Sequence, residues 1–188
     1  MNILFIENIL WILLGVYWLV AAFTLKKDVK KETGLERGLY ILLWLPALLL
    51  LFTKDFPLGF LYKMVLEVSP VYRIAGLTFT IAGLLFSAWA RMYLGRNWSG
   101  RITIKQDHEL VVKGPYAITR NPIYTGLLFA FLGTALSENL VKGYLSMILL
   151  FIGIMMKIVK EEAFMKEMFR EKYFNYMHKV KRLIPFVY

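Results

Sequence analysis

The chain has 188 residues, 59% of them hydrophobic and only 19% charged, with a mean hydropathy of +0.56. That composition excludes an ordinary water-soluble domain and describes an integral membrane protein. The net charge of +10 does not make it a nucleic-acid binder, because the basic residues sit between apolar runs and no stacking or groove-reading module is visible.

Five apolar segments follow in chain order, at 3–25, 39–53, 70–94, 123–136 and 143–159. The expected fold is an all-α integral membrane protein of about five transmembrane or membrane-embedded helices. It carries a short cytoplasmic β-hairpin and a C-terminal interfacial amphipathic helix. No Lys or Arg precedes the first segment, which is long enough to span, so it reads as a retained helix rather than a cleaved signal. At ~1.5 Å per residue the second and fourth segments reach only about 21–23 Å, against ~30 Å of hydrocarbon. The third is the clearest span, and its Gly76 and Gly83 permit close approach of another helix. Segments four and five read as a helical hairpin.

Between the third and fourth segments, Arg101–Lys105 and Glu109–Lys113 are rich in β-branched residues and flank Gln106-Asp107-His108, which predicts a hairpin. Gly114-Pro115 then breaks the chain. Asn121-Pro122 has the form of a helix N-cap followed by proline at the first helical position, a pattern that by itself needs no ligand. After the fifth segment come two acids, Glu161 and Glu162, at the mouth of the hydrocarbon, where acids are costly unless paired or hydrated. From Lys160 to about Lys179, Phe164, Met165, Met168, Phe169, Tyr173, Tyr176 and Met177 recur at helical spacing.

Alternating the connections places most basic residues on one side. Lys26, Lys27, Lys30, Lys31 and Arg37 follow segment one; Arg91, Arg96, Arg101, Lys105, Lys113 and Arg120 follow segment three; the tail adds Lys157 to Arg182. Only Lys54, Lys63, Arg73 and Lys142 lie opposite, so the amino terminus is expected outside and the tail in the cytoplasm. With no cysteine, the chain offers no disulfide, thiolate nucleophile or site of its own for prenylation or palmitoylation. No repeat or linker divides it, and residues 1–188 read as a single membrane domain, with oligomeric state open.

Leu94-Gly-Arg-Asn-Trp-Ser99, His108-Glu-Leu-Val111, Gly114-Pro-Tyr116, Arg120-Asn-Pro-Ile-Tyr124, Glu161-Glu162 and Arg182-Leu-Ile-Pro185 together resemble integral-membrane methyltransferases of the isoprenylcysteine carboxyl methyltransferase type. Related phospholipid N-methyltransferases share the later parts. The resemblance covers about residues 90–185 and implies S-adenosyl-L-methionine as cofactor, with residues 70–188 as the cofactor-binding catalytic core and 1–69 as N-terminal helices. It implies that His108, Leu110 and Val111 border the adenosine while Gly114 and Tyr116 fold the turn over it. Arg120 would bind the cofactor's carboxylate or hold the substrate's reacting group, Asn121 and Tyr124 would line the pocket, and Glu161 or Glu162 would take the ammonium. Arg120 and Glu162 are the implied catalytic pair, and no metal is implied. The implied acceptor is an amphiphilic or prenylated molecule, most readily a carboxylate, met at the bilayer. One departure is Asn121, where the family usually has His; an amide donates and accepts hydrogen bonds but cannot become cationic near neutral pH. Three other readings stand beside this one: a phospholipid N-methyltransferase, an NADPH-dependent membrane reductase, and a lipid-binding protein without turnover.

Overall fold

A computed structural model describes residues 3–23, 28–31, 34–54, 57–67, 69–95, 98, 103–105 and 110–188. Among them the order is α1 (Ile3–Ala22), β1 (Asp28–Lys31), α2 (Gly34–Phe52), α3 (Pro70–Leu94), β2 (Thr103–Lys105), α4 (Pro122–Glu138), α5 (Val141–Phe169) and α6 (Glu171–Lys179), with 3₁₀ turns at Gly59–Tyr62 and Gly114–Ala117. Helices α1, α3 and α5 are each long and apolar enough to cross a membrane, and Arg37–Phe52 within α2 is a shorter apolar helix. Leu19 and Val20 on α1, Leu42 on α2 and Leu85 on α3 all turn outward, which suits lipid and not water. The chain is an integral membrane protein.

Local signals set several boundaries. Ser69 accepts a hydrogen bond from the Val71 amide and Pro70 opens α3, so the start anticipated at residue 70 is a side-chain cap plus proline. Asn139, in the left-handed region at φ 56°, closes α4 and lets α5 begin two residues later. Its side chain binds the 63–66 loop through both the Leu66 amide (3.0 Å) and the Leu66 carbonyl (2.8 Å). The helical hairpin expected from segments four and five is thus present, and tied at its turn.

Two expectations are corrected. The charged residues from Lys160 onward do not begin a new helix: α5 continues through 29 residues to Phe169, and the break falls at Arg170, with φ 45°. No Gly or Pro interrupts residues 154–169, so hydropathy changes there while backbone hydrogen bonding does not. The amphipathic helix is the nine-residue α6, whose Tyr173 and Tyr176 are buried against the protein. The second correction concerns the hairpin. Thr103–Lys105 pairs antiparallel with Asp28–Lys31 instead of with 109–113, and Leu110–Val112 form no strand. Residues 106–109 lie outside the described residues.

Two seams hold the bundle. At α3–α4 the helices run antiparallel with small residues facing one another: Gly76, Thr80, Gly83 and Ser87 on one side, Gly126, Ala130, Gly133 and Ser137 on the other. A Cβ at Gly83 would lie 2.4 Å from the Gly126 carbonyl oxygen, and one at Gly133 would lie 2.4 Å from the Thr80 amide nitrogen. Spacings of four and three residues keep this stripe on one face, and the absence of side chains lets backbone pack on backbone. The partner of Gly76 and Gly83 is therefore α4 of the same chain. At α2–α5, Ala47 and Leu51 pack on Leu150, Ile154 and Ile158, joined by Phe131 of α4 and Leu183 of the tail. Only one residue of α1 is buried, and it is an acid: the Glu7 carboxylate accepts from Thr80 Oγ1 (3.1 Å) and Ser137 Oγ (2.7 Å) at the α3–α4 seam.

Candidate active site at the start of helix α4

The segment before α4 is stitched to the tail. Thr119 Oγ1 donates to the Arg182 carbonyl (3.0 Å), the Arg120 amide to the Lys181 carbonyl (2.8 Å) and Thr125 Oγ1 to the Leu183 carbonyl (2.6 Å). Asn121 occupies the cap position of α4 but makes no side-chain cap; its Nδ2 donates to the Arg182 carbonyl (3.0 Å) instead. These bonds satisfy backbone acceptors of the tail, and they set the tail's arginine facing that of the α4 entry.

Between those arginines lies Glu162. Arg120 Nε and Nη2 both reach Oε1 at 2.9 Å, while Arg182 Nε and Nη2 reach Oε2 at 3.1 and 3.0 Å. Arg120 Nη1 donates in addition to the carbonyls of Val180 (2.6 Å) and Met177 (3.3 Å). Glu162 is only 2% exposed, so this is a desolvated clamp with each carboxylate oxygen held by one guanidinium. Arg120 and Glu162 are brought together, but committed to each other and to the tail.

The neighbouring acid behaves differently. One helical step turns Glu161 toward α4 and α2, where both its oxygens accept from the Tyr124 hydroxyl (2.9 and 3.0 Å). Lys157, one turn earlier, places Nζ 3.7 Å from Glu161 Oε1 and 5.0–5.7 Å from the ring centroids of Trp44, Tyr40 and Tyr124. Gly153, a further turn back, makes room for the indole: a Cβ there would lie 2.5 Å from Trp44 Cδ1 and Nε1. Gly153, Lys157 and Glu161 thus form one stripe of α5 facing an aromatic wall. Counting Arg120, Arg182 and Lys157 against Glu161 and Glu162, the region carries one excess positive charge.

The turn before α4 closes one side. Gly114 has φ +60° and its α-carbon abuts the Tyr93 ring, where a Cβ would lie 2.5 Å away, so both conformation and space call for glycine. Tyr116 is buried, and its carbonyl accepts from the Tyr176 hydroxyl. Burial pushes the phenols of Tyr116, Tyr173 and Tyr176 well above their usual range, so they act as neutral hydrogen-bonding groups. Leu110 and Val111 are half-buried beside this turn. His108 lies outside the described residues.

Sequence reasoning did not assign Lys157, Arg182, Tyr40 or Trp44 to the site. Lys157 was counted with the basic tail, Arg182 with that tail and the last motif of the family pattern, and Tyr40 and Trp44 fell within the second apolar segment. The usable signals were the four-residue spacings Gly153–Lys157–Glu161 on α5 and Tyr40–Trp44 on α2.

Fold and site together define a helical membrane protein with a polar region at one end of its bundle that holds both signs of charge out of water. Residues 71–172 match the phospholipid methyltransferase family. The chain belongs to that family. It is 32% identical over 123 residues to a protein-S-isoprenylcysteine O-methyltransferase of Schizosaccharomyces pombe, covering 64% of this chain and 52% of that protein. A probable protein-S-isoprenylcysteine O-methyltransferase of Oryza sativa subsp. indica is 28% identical over 174 residues, covering 91% and 88%. The solved structure of the eukaryotic intramembrane Ras methyltransferase, isoprenylcysteine carboxyl methyltransferase, shares the fold at TM-score 0.61 and 22% identity, covering 80% of this chain and 53% of that one. The chain thus spans about half the length of the fission-yeast relative and of the solved structure.

Proposed function

We propose that the chain is an S-adenosyl-L-methionine-dependent methyltransferase acting on the carboxylate of an amphiphilic, prenyl-bearing acceptor. The observation that carries this reading is the division of labour between consecutive acids: Glu162 is clamped by two arginines, while Glu161 faces an aromatic wall with Lys157 beside it. S-adenosylmethionine combines an onium sulfur, an ammonium and a carboxylate, and the region offers an acid, ring faces and one excess positive charge to match them. When bound, it supplies an electrophilic methyl group. Glu161 and Tyr124 are the residues suited to its cationic groups. Leu110, Val111, Gly114 and Tyr116 would border its adenosine, with His108 as expected from the family pattern.

Arg120 and Glu162 then act as positioning residues, fixing the α4 entry against the tail so that the pocket wall is rigid. A carboxylate acceptor arrives already ionised and needs no general base, which suits a site whose buried phenols Tyr116, Tyr173 and Tyr176 hold their protons. The names of the curated relatives favour an isoprenylcysteine acceptor. The reading places the amino terminus outside and the site at the cytoplasmic face, supported by the uneven distribution of Lys and Arg.

The test is calorimetric titration of detergent-purified protein with S-adenosylhomocysteine and, separately, NADPH, followed by incubation with S-adenosylmethionine and an N-acetyl-S-prenylcysteine. Saturable homocysteine-product binding with formation of a base-labile methyl ester is expected. Binding of NADPH alone would overturn the proposal in favour of a reductase, and a base-stable methylated amine product would reassign the acceptor.

A further inference from the structure

Lysines near the end of a membrane helix ordinarily send their ammonium outward to water along an extended stem. Lys157 does the opposite. Its side chain is only 3% exposed, and its head group sits among the rings of Tyr40, Trp44 and Tyr124 with the Glu161 carboxylate 3.7 Å away. The recess is built: Gly153 leaves space for the indole edge, and Tyr124 is fixed by its bond to Glu161. Three ring faces and a carboxylate around one point attract a soft cation, whether ammonium or sulfonium.

We propose that this cage is the seat of the methyl donor's cationic sulfur, and that Lys157 is a tethered cation that fills the same seat and competes with it. The proposal rests on the methyltransferase reading. Two positive charges cannot share so small a volume out of water, so entry of a charged donor displaces the ammonium or is opposed by it. A donor whose sulfur has become neutral after methyl transfer must still move the ammonium aside but meets no like-charge repulsion. Lys157 therefore lowers affinity for the charged donor relative to the neutral product, a discrimination visible in binding alone.

The experiment titrates wild type, Lys157→Met and Lys157→Gln in detergent with S-adenosylmethionine, with sinefungin, whose amine replaces the sulfonium, and with neutral S-adenosylhomocysteine. Both variants are expected to bind the two cationic ligands about tenfold more tightly relative to the neutral one. Adding Trp44→Leu to Lys157→Met should remove most of that gain. The glutamine variant retains a polar head beside Glu161 and serves if methionine impairs folding. A parallel shift of all three ligands, or selective weakening of the cationic ones, overturns the competition. Failure of folded wild type to bind any of the three overturns the methyltransferase reading itself, which an unchanged ratio with intact homocysteine-product binding does not.

Discussion

Glu162 is the residue on which most of the polar region converges. Removing its carboxylate leaves Arg120 and Arg182 facing each other in a desolvated space, and truncating one partner of such a buried arrangement costs about 3–5 kcal/mol. Glu162→Ala is therefore expected to lower stability by that order in denaturant titrations in mixed micelles, with Glu162→Gln falling between it and wild type. A loss below about 1 kcal/mol would mean the clamp is solvated like a surface pair. At Asn121 the same scale of reasoning bears on a question raised by the family pattern. The amide donates to the Arg182 carbonyl, and a histidine ring nitrogen can donate there too, so the usual His need not titrate to fill that role. Sequence exposed Glu161 and Glu162 as acids out of place beside hydrocarbon, and Arg120 through the family pattern. It could not show that the two acids divide, because a helix turns about 100° per residue and their partners lie far off in the chain, Arg120 at 42 positions from Glu162 and Tyr124 at 37 from Glu161.

Among the elements, α3 was the most legible, since Ser69-Pro70 and Gly95 mark both ends and nothing in between interrupts the apolar run. The end of α5 was the least legible, because hydropathy registers where lipid stops and not where a helix stops. The α3–α4 seam lies between these cases: its glycines were visible but their partner was not. Gly83→Val should drive a branched side chain into the Gly126 carbonyl and Ala130 backbone, where no rotamer relieves the clash. Overpacking of that kind costs about 1–3 kcal/mol or more, read as a lower thermal midpoint and broadened elution in detergent. Gly15→Ala on α1, with nothing within 4 Å of the added carbon, should be neutral or slightly stabilising, about 0.5–1 kcal/mol. Equal loss from both substitutions would argue against the close approach of α3 and α4.

For the whole molecule, composition alone established a membrane protein, and the ordered motifs pointed to its family before any contact was known. What neither supplied was the way distant segments close on one another, since the α4 entry and the tail meet through backbone carbonyls that carry no sequence signature. The orientation proposed above has a convenient test in a chain without cysteine. A Lys172→Cys variant in sealed right-side-out vesicles should resist a membrane-impermeant maleimide until the vesicles are opened, and Lys54→Cys should react at once. The reverse pattern would turn the protein over and move the site to the other face.

The glycine seam also bears on traffic through the bilayer. A long apolar tail sliding in sideways needs two helices to part, and at most helix interfaces a few side chains can swing aside to let them. Where α3 meets α4 there is little but backbone to move. That side of the bundle is a wall, and opening it would require bending the helices themselves.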